Sequence, residues 1–162
     1  MRFELIQDYS SSVEAITAAY ADPDLYPTLV GLPKLGGIEV LDHQADDARA
    51  RLWIRFAFTG HLPGAATAVV DPARLTWVQE TDHDLVSGIT SFVLNPDHYA
   101  DRLKASGSFR ITEHGNGSRR TVTGELKVRA LLVAGRVEQA IVSGLGEYLT
   151  AEAPAVDRYL DS

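Results

Sequence analysis

The stretch that decides the fold is Arg119-Arg120-Thr121-Val122-Thr123-Gly124-Glu125-Leu126-Lys127-Val128-Arg129-Ala130-Leu131, with the run from Leu132 to about Ala153 directly behind it. In its first part Val122, Gly124, Leu126, Val128 and Ala130 point one way, and Thr121, Thr123, Glu125, Lys127 and Arg129 point the other. A period of two marks a strand with one buried and one wet face. Behind it the period becomes helical. Advancing 100° per residue gathers Ala140, Val133, Gly144, Val137, Tyr148, Ile141, Ala134, Leu145, Leu149 and Val142 on one broad arc. Arg136, Gln139, Ser143, Glu147 and Thr150 fall opposite. This helix has roughly 22 residues and a length of about 33 Å. Pro154 is expected to kink or restart it before Val156, Tyr159 and Leu160. An apolar arc this wide calls for a sheet that curves around the helix.

Working outward from this pair, Phe3 to Tyr9 is a short β-like run, and Ser10-Ser11-Ser12 can cap a helix carrying Val13, Ile16, Ala19 and Tyr20. Asp22 and Pro23 open a second short helix, with Leu25, Tyr26, Leu29 and Val30 as its apolar stripe. A two-residue period follows from Gly37 to Gln44 and again from Arg49 to Phe58, with Asp46-Asp47 between them. Ala65 to Val70 is a short crossing segment. Arg74 to His83, Leu85 to Leu94 and Ser106 to Glu113 read as strands, with a helical turn over Asp97 to Leu103. His114 to Ser118 is a hairpin turn in which Asn116-Gly117 supplies positive φ angles. The expectation is a single α+β domain over residues 1–162, a seven-stranded antiparallel sheet around a long C-terminal helix, with two short helices after strand one.

The chain has 162 residues, 45% of them apolar, and a formal net charge of −7. That length builds a full core without staples. The absence of cysteine removes disulfide frameworks, zinc fingers and thiol nucleophiles, and suits a reducing cytoplasm, the expected location. The acidic balance and the lack of a basic stripe argue against nucleic acid as a partner. No window approaches the roughly 20 apolar residues of a membrane span. His43, His61, His83, His98 and His114 are scattered without metal-ligand spacing, and the glycines of Gly115-Asn116-Gly117 lack the strand-to-helix setting of a phosphate loop. No cofactor is expected.

The order of elements resembles the helix-grip fold of the START-like (SRPBCC) superfamily, which includes birch-pollen-allergen-like proteins, lipid-transfer domains and polyketide cyclases. The strings Arg74-Leu75-Thr76-Trp77-Val78-Gln79-Glu80-Thr81 and Pro96-Asp97-His98-Tyr99-Ala100-Asp101-Arg102-Leu103 look like an actinobacterial family catalogued as domain of unknown function 2505. The superfamily resemblance implies a cavity between sheet and helix for a lipid, sterol, polyketide or aromatic metabolite. Its expected lining is Val137, Ile141, Gly144, Leu145 and Tyr148 from the helix, Leu126, Val122, Phe109, Phe92, Trp77 and Phe56 from strands, and Tyr26 and Leu29 from the second short helix.

Gln79, Thr81 and His83 share a strand face with Trp77. If that face points inward, Gln79 and His83 can orient a ligand carbonyl; otherwise His83 lies at a strand end in solvent. Glu138, on the flank of the helical arc, either orients a ligand at the cavity mouth or, the expected reading, reaches solvent past the helix edge. Gly144 either lets the helix approach the sheet or leaves space behind it. The leading expectation is a binding protein for a hydrophobic small molecule, with no catalytic residue assigned. A cyclase, dehydratase or aromatase using the same cavity is the alternative. A protein-interaction scaffold with a filled core and an outward Trp53 is the third, and an exposed edge strand leaves room for a homodimer.

Overall fold

The computed structural model describes residues 1–162. β1 (Arg2–Tyr9) leads into α1 (Val13–Ala21), where Ser12 Oγ accepts from the Ala15 amide as the N-cap. A 3-10 helix (Pro23–Leu29) follows, opened by the Asp22 carboxylate accepting from Asp24 N. Six strands then form a meander: β2 (Leu35–Ala45), β3 (Arg49–Phe58), β4 (Thr76–Asp84), β5 (Ile89–Pro96), β6 (Leu103–His114) and β7 (Gly117–Val128). The one-turn helix α2 (Gly64–Thr67) and a 3-10 turn (Pro72–Arg74) lie between β3 and β4. The chain closes with α3 (Ala134–Asp161).

All seven strands form one antiparallel sheet in the order β1-β7-β6-β5-β4-β3-β2, so the first strand pairs with the last, Leu5 opposite Val122. The inward faces of the strands and the apolar arc of α3 enclose the core. Ile16, Leu25, Leu29, Leu52, Ile54 and Val156 are fully buried there. No helix is long and apolar enough to cross a membrane.

The expected arrangement of sheet and helix is present, with five local corrections. α3 runs 28 residues, straight through Pro154, instead of ending near Ala153. A proline cannot donate to the carbonyl four residues back; next to that carbonyl, the Leu149 carbonyl accepts from Gln7 Nε2 at 2.8 Å, so β1 supplies a donor to this part of the helix. β7 ends at Val128, so the alternation through Ala130 and Leu131 is not strand, and Leu131 and Leu132 are the most exposed of the large apolar residues. β5 begins at Ile89 because Leu85 to Gly88 form the turn from β4, anchored by the Asp84 carboxylate on the amides of Val86 and Ser87. The β6–β7 turn is Gly115-Asn116, with the positive φ (57°) on Gly115, so glycine stands at the first central position rather than the second. Residues 65–67 belong to α2, whereas Asp97 to Arg102 make a turn held by Tyr99.

Candidate functional site

The space between sheet and α3 has a polar end and an apolar end. At the polar end Arg120 of β7 and Glu152 of α3 form an ion pair, Nη1 to Oε1 3.1 Å, with both side chains nearly inaccessible. The same nitrogen donates to Gln7 Oε1 of β1 at 2.8 Å. Tyr20 of α1 donates to Glu152, and the Tyr9 hydroxyl lies 2.7 Å from the Tyr20 hydroxyl. With the Tyr20 proton on the carboxylate, Tyr9 is the donor of that second bond. The guanidinium lies in the corner between two tilted rings, 4.0 Å from the centroid of Tyr20 and 3.9 Å from that of Phe109, the rings being 5.7 Å apart; such cation–π contacts are worth about 2 kcal/mol when desolvated.

This packing fixes protonation states. Burial pushes the Tyr9 phenol up to about 12 and holds Tyr20 and Tyr148 well above their ordinary value, with Glu152 adding to all three. Burial, and then the Arg120 charge, push His83 down to about 4. Burial opposes the Arg120 charge, but the surrounding tyrosines and Glu152 raise its pKa and keep it a cation. His83 Nδ1 bonds Thr90 Oγ1 at 2.9 Å, while its Nε2, the Thr81 hydroxyl and the Tyr148 hydroxyl are buried without partners.

At the apolar end a cavity lies between all seven strands and α3, with about 90 Å³ through which the centre of a water molecule can move. With the water radius added back, a compact space of that size is roughly 300 Å³, the lower end of the range for ligand pockets. Of its 17 lining residues 15 are apolar; the polar two are Gln79 and Arg120, so Arg120 belongs to both ends. Phe3, Leu5 and Leu149 close one side, and Leu103, Ala105 and Leu94 the other.

Seven of the expected lining residues are on this wall: Trp77, Gln79, Phe92, Val122, Leu126, Ile141 and Leu145. Eight are not. Tyr26 donates to the Tyr20 carbonyl at 2.7 Å, Leu29 is fully enclosed in the core, and Phe56 stacks on Trp77 at 6.0 Å. Phe109 and His83 face each other at the polar end, 5.9 Å apart, and Tyr148 is buried beside Glu152. Val137 packs in a small cluster with Leu126, Val128 and Ala66. Gly144 is a close approach: a Cβ there would stand 2.7 Å from Phe58 Cε2. The ring of Phe58 fills the space that a larger residue at 144 would need.

The Trp77 face of β4 points inward, and His83 is 2% exposed, so the reading of it as a solvated strand end is corrected. Glu138 does not simply reach solvent; its Oε1 accepts from Val128 N at 2.8 Å, where β7 ends. Trp53 points outward but is half-buried under the Arg51 guanidinium, 5.1 Å from the ring centroid. No three His, Asp or Glu side chains converge as metal ligands.

Sequence reasoning missed Arg120, Glu152, Gln7 and Tyr9. The signals were present: Arg120 shares its parity with Val122, Gln7 and Tyr9 share theirs with Phe3 and Leu5, and Glu152 follows Tyr148 by four.

A family model described as "Protein of unknown function (DUF2505)" matches residues 4–160. No curated protein matches the chain. Among solved structures, TTHA0849 from Thermus thermophilus superposes with a TM-score of 0.67 at 12% identity, over 99% of this chain and 97% of that one. The Zhui aromatase/cyclase from Streptomyces sp. R1128 gives 0.63 at 15% identity, over 99% and 93%. A START superfamily protein from Mycobacterium smegmatis gives 0.58 at 16% identity, over 99% and 97%. At these identities the likeness is one of fold.

Proposed function

The chain thus belongs to the DUF2505 family, and on that footing we propose that it binds a small, mostly apolar molecule in the cavity between the sheet and α3. The observation that carries this reading is the cavity itself, space kept open behind 15 apolar side chains. Empty apolar space costs stability through lost contacts, and a ligand restores them. The fold shared with a START superfamily protein and an aromatase/cyclase supports the same location.

Inward titratable groups also occur, as an enzyme of the cyclase kind would need, but their pKa values run the wrong way. A general acid or base works best with a pKa near the working pH. His83 at about 4 and Tyr9 at about 12 are each held in one protonation state around neutrality. Both lie at the buried polar end, outside the cavity wall, and the cavity binds.

The test is a calorimetric titration with neutral naphthalene derivatives. Native protein is expected to bind one equivalent saturably, and Ala105→Phe, whose ring enters the cavity, to bind at least tenfold more weakly with its thermal midpoint retained. Equal binding by the two proteins, or no saturable binding by the native one, overturns the reading.

A further inference from the structure

Resting on that cavity reading, we propose that the ligand is a neutral molecule bearing a hydrogen-bond acceptor, such as a ketone or ester oxygen on an apolar body, and that the site discriminates against carboxylates. Two buried side-chain atoms of the wall lack a partner, Trp77 Nε1 and Arg120 Nε, and both are N–H donors. Buried donors without acceptors are uncommon and costly. An acceptor oxygen on the ligand supplies what the protein leaves out. Gln79, the remaining polar residue of the wall, can donate or accept.

Charge decides the second half. Arg120 is the single charged residue lining the cavity, and its charge is already balanced by Glu152 at 3.1 Å. Lys34, which precedes Leu35 of the wall, is paired with Glu147 at 3.3 Å. A carboxylate entering here would be a second anion around one guanidinium, stripped of water among apolar walls, and like charges in such a setting oppose one another strongly. A neutral carbonyl meets the same donors without that cost.

The experiment compares three probes of one shape on the full chain at neutral pH: 2-ethylnaphthalene, 2-acetonaphthone and 2-naphthoate, by calorimetric titration. 2-Acetonaphthone is expected to bind about tenfold tighter than 2-ethylnaphthalene, one good hydrogen bond's worth, and 2-naphthoate more weakly than either. Trp77→Phe, which keeps an aromatic ring and removes the N–H, alters the wall for both probes, so the readout is their ratio: the preference for 2-acetonaphthone over 2-ethylnaphthalene is expected to fall several-fold, and an unchanged ratio would remove Trp77 Nε1 from the inference. If 2-naphthoate binds tightest, or the hydrocarbon binds as tightly as the ketone, the inference falls and the cavity reading stands. If none of the three binds saturably, both fall.

Discussion

At one end of the sheet–helix interior, where α1 and the last turns of α3 meet β1 and β7, five polar side chains are packed into one network around Arg120 and Glu152. At the other, where β4, β5 and β6 face the middle of α3, apolar side chains surround open space. The two ends share walls and differ in what burial demands. A buried charge must be met by partners or it is ruinous, so the polar end is closed. Apolar side chains have no directional demand, so the other end tolerates a gap that a ligand can fill. Arg120 is the hinge between them, structural through Nη1 and free at Nε.

The largest effect should come from breaking the polar end. Glu152→Gln leaves the Arg120 cation buried without a counter-charge, and unfolding by urea is expected to show a loss of about 3–5 kcal/mol. A loss below about 1 kcal/mol would mean that the network is no more than an accessory and would erase the contrast. A second effect is pH-dependent. His83 binds its proton at about 4 in the folded chain and near 6.5 when free, so between those values the unfolded state holds more protons. Stability is full above pH 6.5 and is lost as pH falls toward 4, by an amount on the order of 3 kcal/mol. Unfolding curves for native protein and His83→Gln across this window measure it; equal pH slopes would place His83 in a more hydrated setting than the structure does.

The smallest effects separate two glycines on α3. Gly144→Ala drives a Cβ into the Phe58 ring and is expected to destabilise by about 1–3 kcal/mol. Gly146→Ala meets Leu5 Cδ2 at an ordinary 3.6 Å and should stabilise by about 0.5–1 kcal/mol through helix propensity. Thermal unfolding of the pair reads both signs, and matching signs would show that α3 is not pressed against β3 at position 144.

Much of the fold was legible because period is a local property. The alternation of β3 and β7 and the 3.6-residue arc of α3 appear in the residues themselves, and the exposed set Arg136, Gln139, Ser143, Glu147 and Thr150 lies as the arc places it. Element ends were less legible: β7 stops at Val128 although Ala130 continues its pattern, since a strand lasts only while a neighbour pairs with it. The candidate site was half legible. Trp77, Gln79, Phe92, Val122, Leu126, Ile141 and Leu145 follow from facing inward, but which inward residues border space and which fill it depends on side chains from distant segments, as Phe58 does for Gly144.

By itself, the sequence determined the seven strands, the helix they wrap and the inward face of the cleanly alternating strands β3 and β7, because hydrophobic period specifies burial residue by residue; the inward face of β4 waited for the structure. Only the tertiary structure decided that Arg120 meets Glu152 across 32 positions of chain and that Trp77 is left with an unpartnered N–H beside a cavity. Charge pairing and empty volume are set by distances between elements, and those exist only once sheet and helix have packed.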